Sequence, residues 1–305
     1  MRRGRTAQAR VTVLLALCGG TRHLEAQLQS YLAQSLPPVH VLASDDRPGD
    51  GTGRMFRRFA ASAPASTRWQ LCRGPQRGCA ANFLHLLGQV DPESTEFVAL
   101  SDQDDIWLAA KLESAVRRLE AVRPGPALIG SRSWEWNEAR NTVTLSRRVP
   151  GPLGFSHALV QNFAGGNTMV LNRAALELVQ RALPGMPVPA VHDWWLYQLV
   201  SGAGGTVLHD GGARILYRQH TANLIGANAG LASRVHRFLW MLGGTYRGWM
   251  DRNIAALEAC SGLLTQDARR ILAQAAKGRD GPLLRRLAML RETGLHRKGG
   301  LNQAA

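Results

Sequence analysis

At 305 residues the chain has room for one large domain with an appendage or for two modest ones, and 45% hydrophobic with 19% charged residues argues against wholesale disorder. Its 37 Lys plus Arg against 22 Asp plus Glu leave a formal net charge of +15, which favours anionic partners: nucleotide diphosphates, nucleic acid or an anionic membrane surface. No apolar run of about eighteen residues occurs, so no transmembrane helix is expected.

The run Val11 to Leu17 follows a basic N-terminus but is short, carries Thr12 and leads into Gly19-Gly20. It reads as the first buried strand, covered on both faces, and not as a signal peptide. Leu24, Leu28, Tyr31 and Leu32 recur at helical spacing until Pro37-Pro38 stops them. Val39 to Ala43 is a second strand ending in Ser44-Asp45-Asp46. Arg47 to Gly53 is a loop, Met55 to Ala61 a helix, Trp69 to Cys72 a short strand, and Asn82 to Leu87 opens a further helix. Glu96 to Ser101 is a strand running into Asp102-Gln103-Asp104-Asp105, and Ile106 to Leu112 is expected to be helical with Asp105 near its N-cap. This alternation implies an α/β fold with a mostly parallel sheet flanked by helices, whose ligands gather beyond strand C-termini.

Later segments are less regular. Ala127 to Ser131 and Thr142 to Leu145 read as strands, and Phe163 to Leu171 as a glycine loop feeding a strand. Arg173 to Leu183 is a helix, His192-Asp193 introduces a short aromatic helix to Val200, and Ala213 to Tyr217 is a strand. From residue 231 the chain carries 13 Lys plus Arg against 5 Asp plus Glu, a net of +8. Leu231, Val235, Phe238, Leu239 and Leu242 form one helical stripe, and Leu283, Leu284, Leu287 and Leu290 another. The expected organisation is 1–228 as the catalytic unit and 229–305 as a basic helical extension. The four cysteines form no CxxC pair and are so scattered that neither a disulfide framework nor a zinc site is expected; a reducing, cytoplasmic setting is the simplest reading.

Three acids within four positions at a buried strand end are the strongest chemical signal. In extended chain, side chains two apart point the same way, so Asp102 and Asp104 can converge on one Mg²⁺ or Mn²⁺ ion, which takes carboxylate and phosphate oxygens. Alone, an Asp-x-Asp pair is weak, because turn aspartates are common.

The pair is not alone. Ser44-Asp45-Asp46, Leu100 to Trp107, Gly165-Gly166-Asn167-Thr168, His192-Asp193-Trp194-Trp195, and Tyr217-Arg218-Gln219-His220 with Asn223 and Ile225-Gly226 follow in order. Together they resemble the inverting family 2 glycosyltransferases, particularly rhamnosyltransferase-like members, which adopt the GT-A nucleotide-sugar-binding fold. The resemblance spans roughly residues 11 to 226.

It implies a divalent metal, a nucleotide-sugar donor and a saccharide or lipid-linked acceptor. Asp46, with Asp45 nearby, would meet the donor base. Arg77 and Asn82 would line the nucleotide pocket, although a surface arginine and a helix-start asparagine are equally natural readings. Asp102 would approach ribose and metal, and Asp104 would ligate the metal. Arg218 would contact the diphosphate and His220 the metal. Gly165, Gly166, Asn167 and Trp194 would face the acceptor, and Gln103 would be structural. Asp193 would be the base that takes the acceptor proton; its plain alternative is a helix N-cap, compatible with that role. At least half of Trp134, Trp136, Trp194 and Trp195 are expected in the core.

Two departures stand out: His192 replaces the family's usual Glu before Asp193, and Ala16-Leu17-Cys18-Gly19 replaces its hydroxyl residue and Tyr-Asn. The second leaves the donor base open, although the resemblance leans toward a dTDP-linked deoxysugar such as L-rhamnose.

A nucleotidyltransferase shares the paired aspartates but needs a better phosphate loop than Cys18 to Arg22. A basic nucleic-acid-binding protein fits the charge, yet the chain has no such module and no nucleic-acid partner is expected. A dehydrogenase lacks its G-x-G-x-x-G, and a glycoside hydrolase its second carboxylic acid. The basic extension is expected to pack on the catalytic unit with arginines outward, and to rest on an anionic membrane surface or simply in solvent.

Overall fold

A computed structural model describes residues 9–149, 151–219, 245–278 and 293–295. The two C-terminal leucine stripes, the residue 228 boundary, His220 and the loop after it lie outside the described residues.

The α/β expectation is met by a nine-stranded sheet in the order β3-β2-β1-β4-β8-β6-β9-β5, with β7 paired to β6. Strands β1 (Val11–Leu17), β2 (His40–Asp45), β3 (Arg68–Arg73) and β4 (Phe97–Ser101) are mutually parallel, joined by helices α1 (Thr21–Leu32), α2 (Thr52–Ser62) and α3 (Cys79–Gln89). Beyond β4 the sheet becomes mixed. Strand β5 (Ile106–Trp107) and helix α4 (Lys111–Glu120) precede β6 (Ala127–Asn137) and its hairpin partner β7 (Thr142–Leu145). After the short helix α5 (Phe155–Ala158), β8 (Val170–Asn172) inserts antiparallel between β4 and β6. Helices α6 (Arg173–Ala182) and α7 (His192–Gly202) then lead to β9 (Thr206–Gln219), parallel to β6.

The continuous apolar run of β1 is explained by burial on both faces. Leu14, Leu42, Val98 and Leu100 face a core with α3, α6 and α7, whereas Val13, Leu15, Val41 and Ala43 face a second core with α1, α2 and α4. Helices α8 (Thr245–Ala259) and α9 (Gln266–Gly278), with the turn between them, add Ile254, Leu257, Leu264 and Leu272 to the first core. Asn253 joins them to α7, donating to Gln198 Oε1 at 3.2 Å and accepting from the Ala190 amide at 2.9 Å. Arg252, Arg269 and Arg270 stay exposed. No described helix is long and apolar enough to cross a membrane.

One local expectation fails. Ile106 and Trp107 do not begin a helix; they pair antiparallel with Leu216 and Ile215 of β9, and α4 starts only at Lys111. A β-branched and an aromatic residue suit a strand once a partner edge lies alongside. Asp105 is therefore no cap, and is fully buried.

Candidate functional site

The site lies beyond the C-terminal ends of β1, β2 and β4, where the parallel strands leave a row of loops. Asp102 follows β4 directly, but Gln103 and Asp104 lie in a bend and not in extended chain. Gln103 turns back and clasps the loop after β1: its Nε2 donates to the Cys18 carbonyl at 2.8 Å, and its Oε1 accepts from the Cys18 amide at 2.9 Å. The turn is braced from behind by Ser101, whose hydroxyl meets Tyr31 at 2.6 Å and Gln27 at 3.2 Å.

Charge is concentrated here. Burial pushes the Asp102 carboxyl well above the carboxylate range, and the charges of Asp105, Asp104 and Asp193 push it further, against the pull of Lys111. Burial, then Asp104, pushes Asp105 up to about 7, although Asn167 Nδ2 at 2.7 Å and the Arg218 amide at 3.3 Å donate to it. Among the described residues no group of three His, Cys, Asp or Glu side chains gathers closely enough to hold a metal. Asp102 and Asp104, close enough for their charges to interact, are nonetheless the donor type that suits a hard divalent ion completed by donor phosphates. The residues present thus fit Mg²⁺ or Mn²⁺.

Asp193 lies in the first turn of α7, one residue inside the helix, so it is not the cap; that position is Val191. Its Oδ2 accepts from the Gly166 amide at 2.8 Å, and its Oδ1 from Asn162 Nδ2 at 3.1 Å and the Trp194 amide at 2.5 Å. Burial still outweighs these bonds and lifts the carboxyl to about 6. Gly166 is required by space: a Cβ there would stand 2.6 Å from His192 Nε2 and 3.3 Å from Asp193 Cβ. His192, whose role the sequence left open, stacks on Phe83 at 4.2 Å, and burial drives its pKa down to about 3. It is a neutral packing residue beside Asp193.

The Asp45-Asp46 turn splits between two environments. Both Asp46 oxygens are engaged by loop amides, Gln76 at 2.6 Å and Gly78 at 3.0 Å. Asp45, with Arg54, Arg57, Arg73, Leu71 and Gly53, lines a cavity of about 250 Å³, and burial raises its carboxyl. Asp45 also accepts from the Arg47 amide at 3.2 Å, and Asp46 does not line this cavity. Arg77 is exposed near this loop. Asn82 is 1% exposed and donates to the Ser44 carbonyl at 3.2 Å, so it braces the turn from inside and does not line the pocket.

Two more expectations are corrected. Arg218 lies opposite Trp136 in the β6–β9 register, stacks over that ring at 4.4 Å, and binds Glu138 Oε1 at 2.7 Å and the Asp104 carbonyl at 3.0 Å. At 4% exposure it buttresses the acidic turn instead of reaching out to a diphosphate. Trp194 is 3% exposed and donates to the Ala158 carbonyl at 2.6 Å, and Trp195 is fully buried. Helix α7 is buried nearly all round, so these rings are core and not an acceptor platform. Of the other residues assigned to the acceptor side, Gly165 is exposed, Gly166 holds Asp193, and Asn167 holds Asp105.

The sequence missed Asn162, Glu138 and Lys111. Asn162 had only its place beside an apolar stretch to mark it. Lys111 was placed only within the helical stretch Ile106 to Leu112; burial lowers its pKa to about 7, against the opposing charges of Asp105 and Asp102.

Residues 22–176 match the model of a family described as glycosyl transferase family 2. The chain is 24% identical over 247 residues, 80% of its length and 83% of the relative's, to a dTDP-rhamnosyl transferase of Shigella flexneri. Among solved structures it resembles a mannosyltransferase from Pyrobaculum calidifontis in complex with GDP-Man and Mn²⁺, with a TM-score of 0.53 and 18% identity over 95% of this chain and 81% of that one. It also resembles TarS 1-349 of S. aureus in complex with UDP-GlcNAc, with a TM-score of 0.54 and 14% identity over 94% and 93% of the two chains. The shared architecture is the GT-A fold.

Proposed function

Because the chain belongs to glycosyl transferase family 2, we propose that it transfers a sugar with inversion from a nucleoside-diphosphate donor to a hydroxyl of a saccharide or lipid-linked acceptor. The observation that carries this reading is Asp193: a half-buried carboxylate oriented by Gly166 and Asn162, and close enough to Asp102 for their charges to interact.

In this reading the acceptor oxygen attacks the anomeric carbon while Asp193 takes its proton. The bond from that carbon to the diphosphate oxygen breaks, and the nucleoside diphosphate leaves as an anion that needs no acid. Asp102 and Asp104 would hold a divalent cation, which supplies charge stabilisation to the departing diphosphate when bound. Asp102 would also meet the ribose. Asp45 and the arginines around its cavity would receive the nucleotide, with Asp46 shaping that loop and Arg77 at its rim. Gln103 keeps the loop after β1 in register with the acidic turn.

The donor is proposed to be a dTDP-linked deoxysugar such as L-rhamnose, supported by the likeness to the Shigella flexneri rhamnosyl transferase. A panel of nucleotide-sugars tests the function. Nucleoside diphosphate should appear with acceptor and Mn²⁺ or Mg²⁺, fastest from dTDP-L-rhamnose, and stop on chelation. Release from no donor, or equal release with excess chelator, would contradict the proposal.

A further inference from the structure

Lys111 opens α4, yet it is only 2% exposed. Its Nζ lies 4.2 Å over the Trp107 ring and donates to the Asn167 carbonyl at 3.0 Å. Lysine is rarely interred unless paired, and the partners here are informative. Asn167 in turn donates its side-chain amide to Asp105 at 2.7 Å, and the preceding residue, Gly166, donates its backbone amide to Asp193 at 2.8 Å. A continuous run of contacts therefore joins α4 and the acidic turn to the carboxylate proposed as base. The run passes through two adjacent residues of one glycine loop.

We propose that Lys111 is a positioning residue: it anchors the 165–168 loop through the Asn167 carbonyl, fixes Asp193 relative to Asp102 and Asp104, and offsets the charge of Asp102 and Asp105. The inference rests on the functional reading above. A lysine that only filled space would be replaceable by methionine, which has similar length and is easier to bury. Removing a positioning cation has a different signature. A divalent ion meets less repulsion at the acidic turn and is held at least as well, while the base loop loses its anchor and turnover falls.

The test measures Mn²⁺ binding by calorimetry and kcat with the best donor, on the full chain, for wild type, Lys111→Met, Lys111→Gln and Lys111→Arg. Lys111→Met should bind Mn²⁺ at least as tightly as wild type while kcat falls about tenfold or more, the scale of a lost supporting contact in a metal site. Lys111→Arg, which keeps charge and donor, should turn over faster than Lys111→Met. Wild-type kcat in Lys111→Met would overturn the proposal, and so would joint loss of Mn²⁺ binding and turnover in a folded variant. Should Lys111→Met not fold, Lys111→Gln keeps a donor without the charge: Mn²⁺ binding at least as tight as wild type with slower turnover supports the proposal, and wild-type turnover or weakened Mn²⁺ binding overturns it. A wild-type chain that binds no Mn²⁺ and turns over no donor removes the functional reading, and this proposal with it. The wild-type measurement thus separates that failure from a failure of Lys111 alone.

Discussion

Asp193→Asn should lower kcat by about 10²- to 10⁴-fold, the range expected for losing a general base, while leaving donor KM within a few-fold of wild type. The amide oxygen can still accept from Asn162 and the Trp194 amide, so the first turn of α7 keeps its shape, although Nδ2 can no longer accept from the Gly166 amide. The pH dependence follows from the same carboxyl. Its pKa is raised by burial to about 6, so the ionised form that takes the proton fills as pH rises through that value. In wild type, kcat/KM should therefore climb on an acid limb near pH 6 and fall about tenfold per unit below it. Asp193→Asn should be slow throughout and lack that limb. A limb that persists unchanged in the variant would assign the titration to another group.

Asp104→Ala should abolish metal-dependent turnover nearly as completely, by about 10²- to 10³-fold. The estimate comes from the several kcal/mol that a bound divalent ion contributes to transition-state charge stabilisation. Here Mn²⁺ affinity should fall together with kcat, unlike in Asp193→Asn, where Mn²⁺ binding should survive. The fold should be retained, because the Gln103 clasp on Cys18 and the bond from Arg218 to the Asp104 carbonyl both survive in alanine. Calorimetry with Mn²⁺ beside steady-state rates distinguishes the cases. An Asp104→Ala chain that binds Mn²⁺ as wild type would move the metal elsewhere.

Much of the first half of the fold was legible because its signals are local. A continuous apolar run such as Val11 to Leu17 fits a strand buried on both faces, and Asp102 stands at a strand end wherever the boundary is drawn. The misreadings share one cause: they depended on partners distant in sequence. Ile106-Trp107 became a strand because β9, more than a hundred residues on, supplies the pairing edge. Arg218 looked like a phosphate ligand until its register with Trp136 and its bond to Glu138 turned it inward. Trp194 carries no mark separating a stacking platform from a core ring, and Asn82 none separating a pocket wall from a brace beneath it. Lys111 is the extreme case, since nothing in a helix-start lysine announces burial beneath a carboxylate cluster. The Asp45-Asp46 turn was correctly singled out, but which acid faces a cavity depends on how α2 and the 74–78 loop close around it.

In the proposed reading Asp193 deprotonates the acceptor oxygen and the sugar passes in one displacement at the anomeric carbon. Proton NMR of the initial product from the best donor reads that outcome directly, before any anomer can equilibrate. Direct transfer through Asp193 predicts a product of anomeric configuration opposite to the donor's. Retained configuration would contradict it, and with it the role of Asp193 as the base.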